Sequence, residues 1–175
     1  MSPTPQLFSR ARNSVAARLA TAATGIALAA AALVTVAPTT PAHASTLTER
    51  QRFAAKADRL LHVTANQKGD PYRWGAAGPN AFDCSGLVYY AFKRAFDRTI
   101  PRTANDQKRA SKRIYHRDHL RPGDLVFKVD SSGYAYHVGI YAGHGYYWHS
   151  PHSGSWVQRD KMERDRWRYG RLIRT

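Results

Sequence analysis

The sequence predicts an α+β fold in which helices pack on one side of a short antiparallel β-sheet. Apolar residues recur at helical spacing up to about residue 96, and the alternation typical of strands begins near Leu120. Short turns that contain glycine separate the strand patterns, which favours hairpins over parallel strands joined by helices. The 175 residues suit one domain of ordinary size.

An export signal is predicted over residues 1–44. Three arginines precede a run of mostly small apolar residues over 19–36, and an Ala-His-Ala pattern ends at Ala44. We expect cleavage after Ala44, which leaves a single domain over 45–175 that is secreted and has no stable membrane insertion. A retained membrane anchor is the alternative, because the apolar run approaches the length of a spanning helix.

Three helices are predicted in the remaining chain. Thr46 and Glu49 have the spacing of a capping box, Asp83 or Asn80 can cap the second helix, and Thr103 can cap the third. The first two carry apolar residues at helical intervals, whereas the third is short and polar. The predicted helices cover residues 46–65, 85–96 and 104–113.

The second half of the chain predicts a β-meander. Short runs rich in aromatic and β-branched residues alternate with turns that contain Gly, Ser and Asp. Neighbouring runs are therefore expected to pair as antiparallel hairpins. The predicted strands cover residues 125–129, 136–141, 145–149, 156–158 and 167–173.

The composition is strongly basic, with 27 Lys and Arg against 12 Asp and Glu and a formal net charge of +15. A hydrophobic share of 43% argues against a disordered polyelectrolyte. Removal of residues 1–44 takes away three arginines and no acidic residue, so the exported chain stays basic. The single cysteine excludes an intrachain disulfide framework and any zinc site built from several thiolates.

This charge favours polyanionic partners, which outside a cell are anionic wall polymers or lipid surfaces. Basic residues cluster over 102–121 and 159–174. The Arg-Trp-Arg-Tyr run at 166–169 resembles some single-strand binders, but its period of two is that of a half-buried strand. We therefore expect no nucleic-acid partner.

Cys84 lies in the predicted first turn of the second helix. Free backbone N–H groups and the helix dipole at such a position favour a thiolate and lower a thiol pKa. The alternative is an inert cysteine packed like a small apolar residue. Polar or minimal neighbours and the predicted export to an oxidising space favour a nucleophile.

A nucleophilic cysteine needs an imidazole that accepts its proton and later returns it. His137 opens the most strand-like stretch of the chain, and a hairpin that turns at 143–145 would bring His149 beside it. His149 could then orient His137 through its second ring nitrogen. A zinc site formed by His137, His149 and His152 is the rival, but no carboxylate ligand or H-E-x-x-H motif accompanies it, so we expect no metal.

Five blocks of sequence, taken in order, resemble the NlpC/P60 family of cell-wall cysteine peptidases. The resemblance implies a papain-like fold without a cofactor. It also implies hydrolysis of peptidoglycan stem peptides, commonly between D-γ-glutamate and a diamino acid. The blocks are Pro-Tyr-x-Trp-Gly at 71–75, Phe-Asp-Cys-Ser-Gly-Leu-Val at 82–88, Ile-Pro-Arg-Thr at 100–103, Leu-x-Pro-Gly-Asp-Leu-Val-Phe at 120–127 and His-Val-Gly-Ile-Tyr at 137–141.

The resemblance also implies roles for individual residues. Cys84 matches the family nucleophile, His137 its base and His149 its third polar residue. Tyr72 matches a tyrosine near the active site. The remaining two matches, at positions that in some members meet the free amine of the stem peptide, are Asp83 and Ser85.

The sequence departs from the family pattern in two places. Ala76 and Ala77 follow Gly75 where many members have a further glycine, and there is no evident separate wall-binding repeat. Both departures concern substrate placement rather than chemistry. The alternatives are an amidase or acyltransferase of the same fold, or a non-catalytic module that binds wall or polyanion; in each case we expect a monomer.

Overall fold

A computed structural model describes residues 41–163 and 166–174. The predicted export signal falls mainly on residues 1–40, which lie outside the described residues, so it stays a prediction. No helix in the described part of the chain is both long enough and apolar enough to cross a membrane.

The first helix, α1, spans Pro41–Ala65 and therefore begins before the predicted cap at Thr46. Proline is well tolerated in the first turn of a helix, and the alanines that follow it favour helix, so the pattern extends toward the N-terminus. Phe53, Ala57 and Leu60 lie on one face of α1 and are buried. This face anchors α1 to the rest of the domain.

The second helix, α2, spans Cys84–Phe96, so the cysteine is its first residue. Asp83 caps it, because the carboxylate accepts a hydrogen bond of 2.7 Å from the backbone N–H of Gly86. The helix ends at Asp97, whose left-handed backbone (φ 52°) lets its N–H bond the carbonyl of Lys93. The predicted helix and its Asp83 cap are confirmed.

The third helix, α3, spans Ala104–Ala110 and is capped by Thr103, as predicted. It ends earlier than predicted, because Ser111 is extended and residues 112–114 form a strand, β1 (Lys112–Ile114). The sequence analysis missed β1. Its side chains are exposed or half-buried and show no alternation, so only its pairing with a distant strand makes it one.

Within the described residues, six strands form one antiparallel sheet in the order β1-β6-β2-β3-β4-β5. The predicted meander holds for β2 to β5, but the last strand returns to lie between β1 and β2. The strand predicted at 156–158 instead begins at Gln158. The remaining strands are β2 (Leu125–Val129), β3 (Ala135–Gly143), β4 (Tyr146–His149), β5 (Gln158–Lys161) and β6 (Trp167–Arg171).

The main core lies between the helices and one face of the sheet. Phe53 and Leu60 of α1 and Phe92 of α2 pack with Phe127 of β2 and Ile140 of β3. A smaller cluster around Tyr147 and Trp167 gathers other side chains of the sheet. This packing fixes the N-terminus of α2 against β3, which is the arrangement that matters for the site.

Gly86 lets the loop before α2 lie directly on the helix. A Cβ atom at this position would come 2.0 Å from the carbonyl oxygen of Ala76, which is far inside van der Waals contact. That same carbonyl accepts a hydrogen bond of 2.9 Å from the N–H of Asp83. The loop over 71–82 therefore reaches the helix cap only because residue 86 has no side chain.

We expect Gly86→Ala to destabilise the protein by about 2 kcal/mol, because overpacking at a rigid backbone contact forces the loop to shift. Urea unfolding followed by circular dichroism measures this. An unchanged or increased free energy of unfolding, as for an ordinary glycine in a helix, would contradict the close approach.

Candidate active site

Cys84 stands at the N-terminus of α2, against β3. Backbone groups of Val138 and Ser85 lie near enough to its sulfur to lower its pKa, and Val138 directly follows His137 on β3. The side chain is partly exposed rather than sealed in the core. The thiol therefore lies beside the strand that carries His137.

A β3/β4 hairpin brings His137 and His149 together. Ile140 pairs with Trp148, and the turn between the strands passes through His144, whose backbone is left-handed (φ 54°). The Nε2 atom of His137 lies 2.9 Å from Nδ1 of His149, and both rings are buried. The hairpin predicted from the sequence thus forms with the register that the site needs.

Asp160 of β5 extends this pair and was not predicted. One of its carboxylate oxygens, Oδ2, lies 2.9 Å from Nε2 of His149 and accepts a second hydrogen bond of 2.7 Å from the amide of Gln158. The predicted strand stopped at residue 158, so this carboxylate lay outside every predicted element. A longer strand paired with β4 would have placed Asp160 two residues beyond Gln158, the partner of His149, and on the same face of the sheet.

The Asp160 carboxylate sets the tautomers of both histidines. An ionised carboxylate only accepts hydrogen bonds, so the proton of His149 is on Nε2 and its Nδ1 is an acceptor. His137 must then donate from Nε2, which leaves its Nδ1 unprotonated. Nδ1 of His137 is therefore the ring nitrogen that can accept a proton.

Burial favours the neutral forms of His137, His149 and Cys84 at neutral pH. It lowers the pKa of His137 to about 3, with further effects from His149 and Lys128. Burial also lowers the pKa of His149, although Asp160 acts in the opposite direction. The pKa of Cys84 is raised by burial and less strongly by the charge of Asp83. The raised pKa favours the neutral thiol over the expected thiolate, because desolvation outweighs the effect of Val138 and Ser85 at the sulfur.

Asp83 is the polar centre of the helix cap. Its two oxygens accept hydrogen bonds from the N–H groups of Gly75 and Gly86, the hydroxyl of Ser85 and two nitrogens of Arg102. Burial opposes the charged form of Asp83, but the bonds from Arg102 and Gly86 outweigh it and lower its pKa. Arg102, which could have been a solvated charge, is instead the counter-ion of this cap.

The remaining predicted residues surround the thiol. Burial raises the pKa of Tyr72, and the charges of Cys84 and Asp83 add to the effect, so Tyr72 lies near both. The hydroxyl of Ser85 donates to Asp83 and accepts from Arg102 at 3.0 Å. These donors occupy the acceptor sites of Asp83, so an amine of the substrate would have to share them.

Within residues 41–163 and 166–174, no three His, Cys, Asp or Glu side chains are placed to hold a metal ion. His152 is exposed at the surface, although its charge still affects both buried histidines.

A cysteine at a helix N-terminus beside histidines on an antiparallel sheet defines the papain-like class. The NlpC/P60 family profile matches residues 69–173, and the chain belongs to the NlpC/P60 family. The resemblance seen in the sequence is therefore confirmed. The α+β fold is confirmed as well, since solved NlpC/P60 domains share it.

Two curated relatives named as endopeptidases are similar to this chain. The murein DD-endopeptidase MepH of Escherichia coli (strain K12) is 41% identical over 127 residues, or 65% of this chain and 44% of MepH. The bifunctional muramidase/DL-endopeptidase CwlT of Bacillus subtilis (strain 168) is 42% identical over 114 residues, or 63% of this chain and 33% of CwlT. The match to each of these two curated relatives spans less than half of the relative's length.

The peptidoglycan hydrolase RipB of Mycobacterium tuberculosis provides a structural comparison. It superposes with a TM-score of 0.62 at 27% identity, covering 72% of this chain and 69% of RipB. The shared fold therefore extends over most of the described residues.

The buried histidines predict a specific loss of stability in acid. His137 stays unprotonated in the folded protein down to about pH 3, whereas an unfolded histidine takes up a proton near its ordinary pKa of about 6.5. The unfolded state therefore binds more protons below that pH. The free energy of unfolding should fall as the pH falls from about 6.5 toward 3, by up to about 1.4 kcal/mol per pH unit for His137.

His137→Gln should reduce this slope by about one proton in urea unfolding measured between about pH 4 and 5.5. The same substitution at exposed His119 is the control and should leave the slope unchanged, because that ring is open to water in both states. An equal slope in the wild type and His137→Gln would contradict the assignment of His137 as a buried neutral base.

Proposed function

We propose that this protein is a cysteine peptidase that hydrolyses peptidoglycan stem peptides, with Cys84 as nucleophile and His137 as base. The observation that supports it most directly is the hydrogen-bonded row of His137, His149 and Asp160, which lies on the sheet against which the N-terminus of α2 and Cys84 pack. Membership of the NlpC/P60 family and relatives named as endopeptidases support the same activity.

The reaction begins from a neutral thiol and a neutral imidazole. As the sulfur of Cys84 attacks the peptide carbonyl, its proton passes to Nδ1 of His137, and a carbon–sulfur bond forms. The imidazolium then protonates the leaving amine as the peptide bond breaks. Water, deprotonated by the same nitrogen, attacks the thioester and releases the acid and the free thiol.

The surrounding groups stabilise the charges that this step creates. The backbone N–H of Cys84 at the start of α2 is suited to bind the oxyanion, because an N–H group in the first turn of a helix has no acceptor within the helix. The positive charge that forms on His137 is stabilised by its hydrogen bond to His149 and, beyond that ring, by the carboxylate of Asp160. A neutral imidazole at His137 thus becomes an imidazolium only during the reaction, when the carboxylate of Asp160 can balance its charge.

The bond that is cleaved can also be proposed. We assign cleavage to the bond between D-γ-glutamate and the diamino acid, as the family resemblance implies and as the name DL-endopeptidase says of CwlT. MepH is named a DD-endopeptidase, so the cross-link bond is the second candidate. Tyr72, Asp83 and Ser85 surround the thiol where the stem peptide would lie, and Asp83 and Ser85 act mainly through the helix cap.

The proposed place of action is the cell wall. Export after removal of residues 1–44 would deliver a basic monomer to a space rich in anionic polymers, which long-range attraction would concentrate around it. Neither a cofactor nor a metal ion enters the proposed reaction.

Mass spectrometry of fragments from purified peptidoglycan tests both the activity and the bond. The wild-type protein should release fragments cut after D-γ-glutamate. Cys84→Ala should reduce turnover by about 10³-fold or more while the fold remains, because the nucleophile is lost. His119→Gln, at an exposed site away from the thiol, is the control. Fragment release by Cys84→Ala would exclude the proposed nucleophile, and cuts confined to the cross-link would exclude the assigned bond.

Asp160→Asn tests whether the carboxylate acts through the histidines. The amide can still accept a hydrogen bond but carries no charge, so kcat should fall about tenfold with KM nearly unchanged. Since Asp160 raises the pKa of His149, the acid limb of the kcat/KM profile should also move to lower pH.

Asp130→Asn makes the same charge change in an exposed loop and should alter neither kcat nor the pH profile. A loss of activity in Asp160→Asn without any movement of the acid limb would indicate that Asp160 only supports the fold of β5.

A further inference from the structure

A series of basic hollows runs along the part of the surface formed by α1, the end of α2, β1 and β6. The largest, of about 980 Å³, is lined by Arg94, Arg98 and Arg174 among other basic residues. Hollows of about 450 and 430 Å³ share Lys112 and Arg121 with each other, and the first of them also shares Arg98 and Arg174 with the largest.

The fourth hollow, of about 280 Å³, continues the series at the far end. It contains Lys108, Arg109 and Arg168 and meets its neighbour at Arg113. We call the series of four hollows the basic belt. Its lining includes two carboxylates, and one of them, Asp97, is already bound to Lys93 at 2.7 Å.

The basic belt is separate from the candidate active site. In the sheet order, β1 and β6 lie at one end, whereas His149 and Asp160 lie on β4 and β5 at the other. None of Cys84, His137 and His149 lines any of the four hollows. A ligand in the basic belt would therefore leave the thiol open.

Many charges of the basic belt are not neutralised by the protein. Arg109, Lys112 and Arg113 are exposed, and none of them has an ion-pair partner in the described part of the chain. Burial lowers the pKa of Arg98, and the nearby charge of Arg174 lowers it further. Like charges held this close repel one another, and a bound anion would relieve the repulsion.

We propose that the basic belt binds a linear polyanion of the cell wall whose charges are phosphodiesters. A small anion would fill one hollow, whereas an extended polymer can follow hollows that share their lining arginines. The belt is poor in free aromatic faces, which single-stranded nucleic acids need for base stacking. Its exposed tyrosine, Tyr115, already carries the guanidinium of Arg113 over its ring, and exposed Trp74 and Trp156 lie outside it.

This inference rests on the proposed function only for the location of the protein at a wall. Binding to the basic belt needs neither the thiol nor the histidines. Cleavage of a soluble stem-peptide fragment and binding of the polymer can therefore fail independently, and the two results tell the two proposals apart.

The test is fluorescence anisotropy with labelled poly(glycerol phosphate), using the full-length protein. The belt variant carries Arg109→Gln, Lys112→Gln and Arg113→Gln. The matched control carries Arg52→Gln, Lys68→Gln and Lys161→Gln, which removes the same charge from exposed positions outside the belt.

At about 0.1 M salt the belt variant should bind at least about tenfold more weakly than the wild type, with a smaller dependence of affinity on salt, and the control should differ by less than about twofold. Both variants should cleave a soluble stem peptide at the wild-type rate, and Cys84→Ala should bind the polymer normally.

Equal weakening in both variants would overturn the proposal, since net charge alone would then explain binding. No weakening in the belt variant would also overturn it. An oligothymidylate of equal charge that binds the belt more tightly than poly(glycerol phosphate) would exclude the wall polymer as the ligand. Preferential binding to vesicles of phosphatidylglycerol would exclude it in favour of a lipid surface.

Discussion

The carboxylate of Asp83 holds together the three stretches of chain that meet at the thiol. It caps α2 through Gly86, binds the loop through Gly75 and pairs with Arg102, which comes from the segment before α3. Burial by itself would favour the neutral acid, so the guanidinium keeps this centre ionised. Because Cys84 is the next residue, the direction of its side chain follows from this cap.

Burial away from water also controls the protonation of Cys84, His137 and His149. It keeps both histidine rings neutral and favours the protonated sulfur, and it strengthens the hydrogen bond between the two rings. Asp160 lies at the boundary with solvent, where its side chain is 43% exposed and can stay charged. The charge of Asp160, which lies at the surface, thus determines the tautomers of the buried His149 and His137.

Local patterns predicted the elements that carry the site, while contacts between distant segments decided the rest. Helix spacing and an adjacent Asp83 placed the cysteine at a helix start, and a short glycine turn was enough to align His137 with His149. The pairing of β6 with β1 and β2 depends on partners far along the chain. For the same reason, the roles of Arg102 and Asp160 could not be seen from their immediate neighbours.

The protonated state of Cys84 has a consequence for how long the protein lasts outside a reducing compartment. Peroxides and foreign disulfides react with a sulfur anion and hardly at all with the protonated sulfur. In the proposed reaction the sulfur of Cys84 ionises only during attack on a carbonyl, and the raised pKa keeps the resting thiol in its less reactive form. Desolvation, which slows the first proton transfer, thereby preserves an unpaired thiol against oxidative loss.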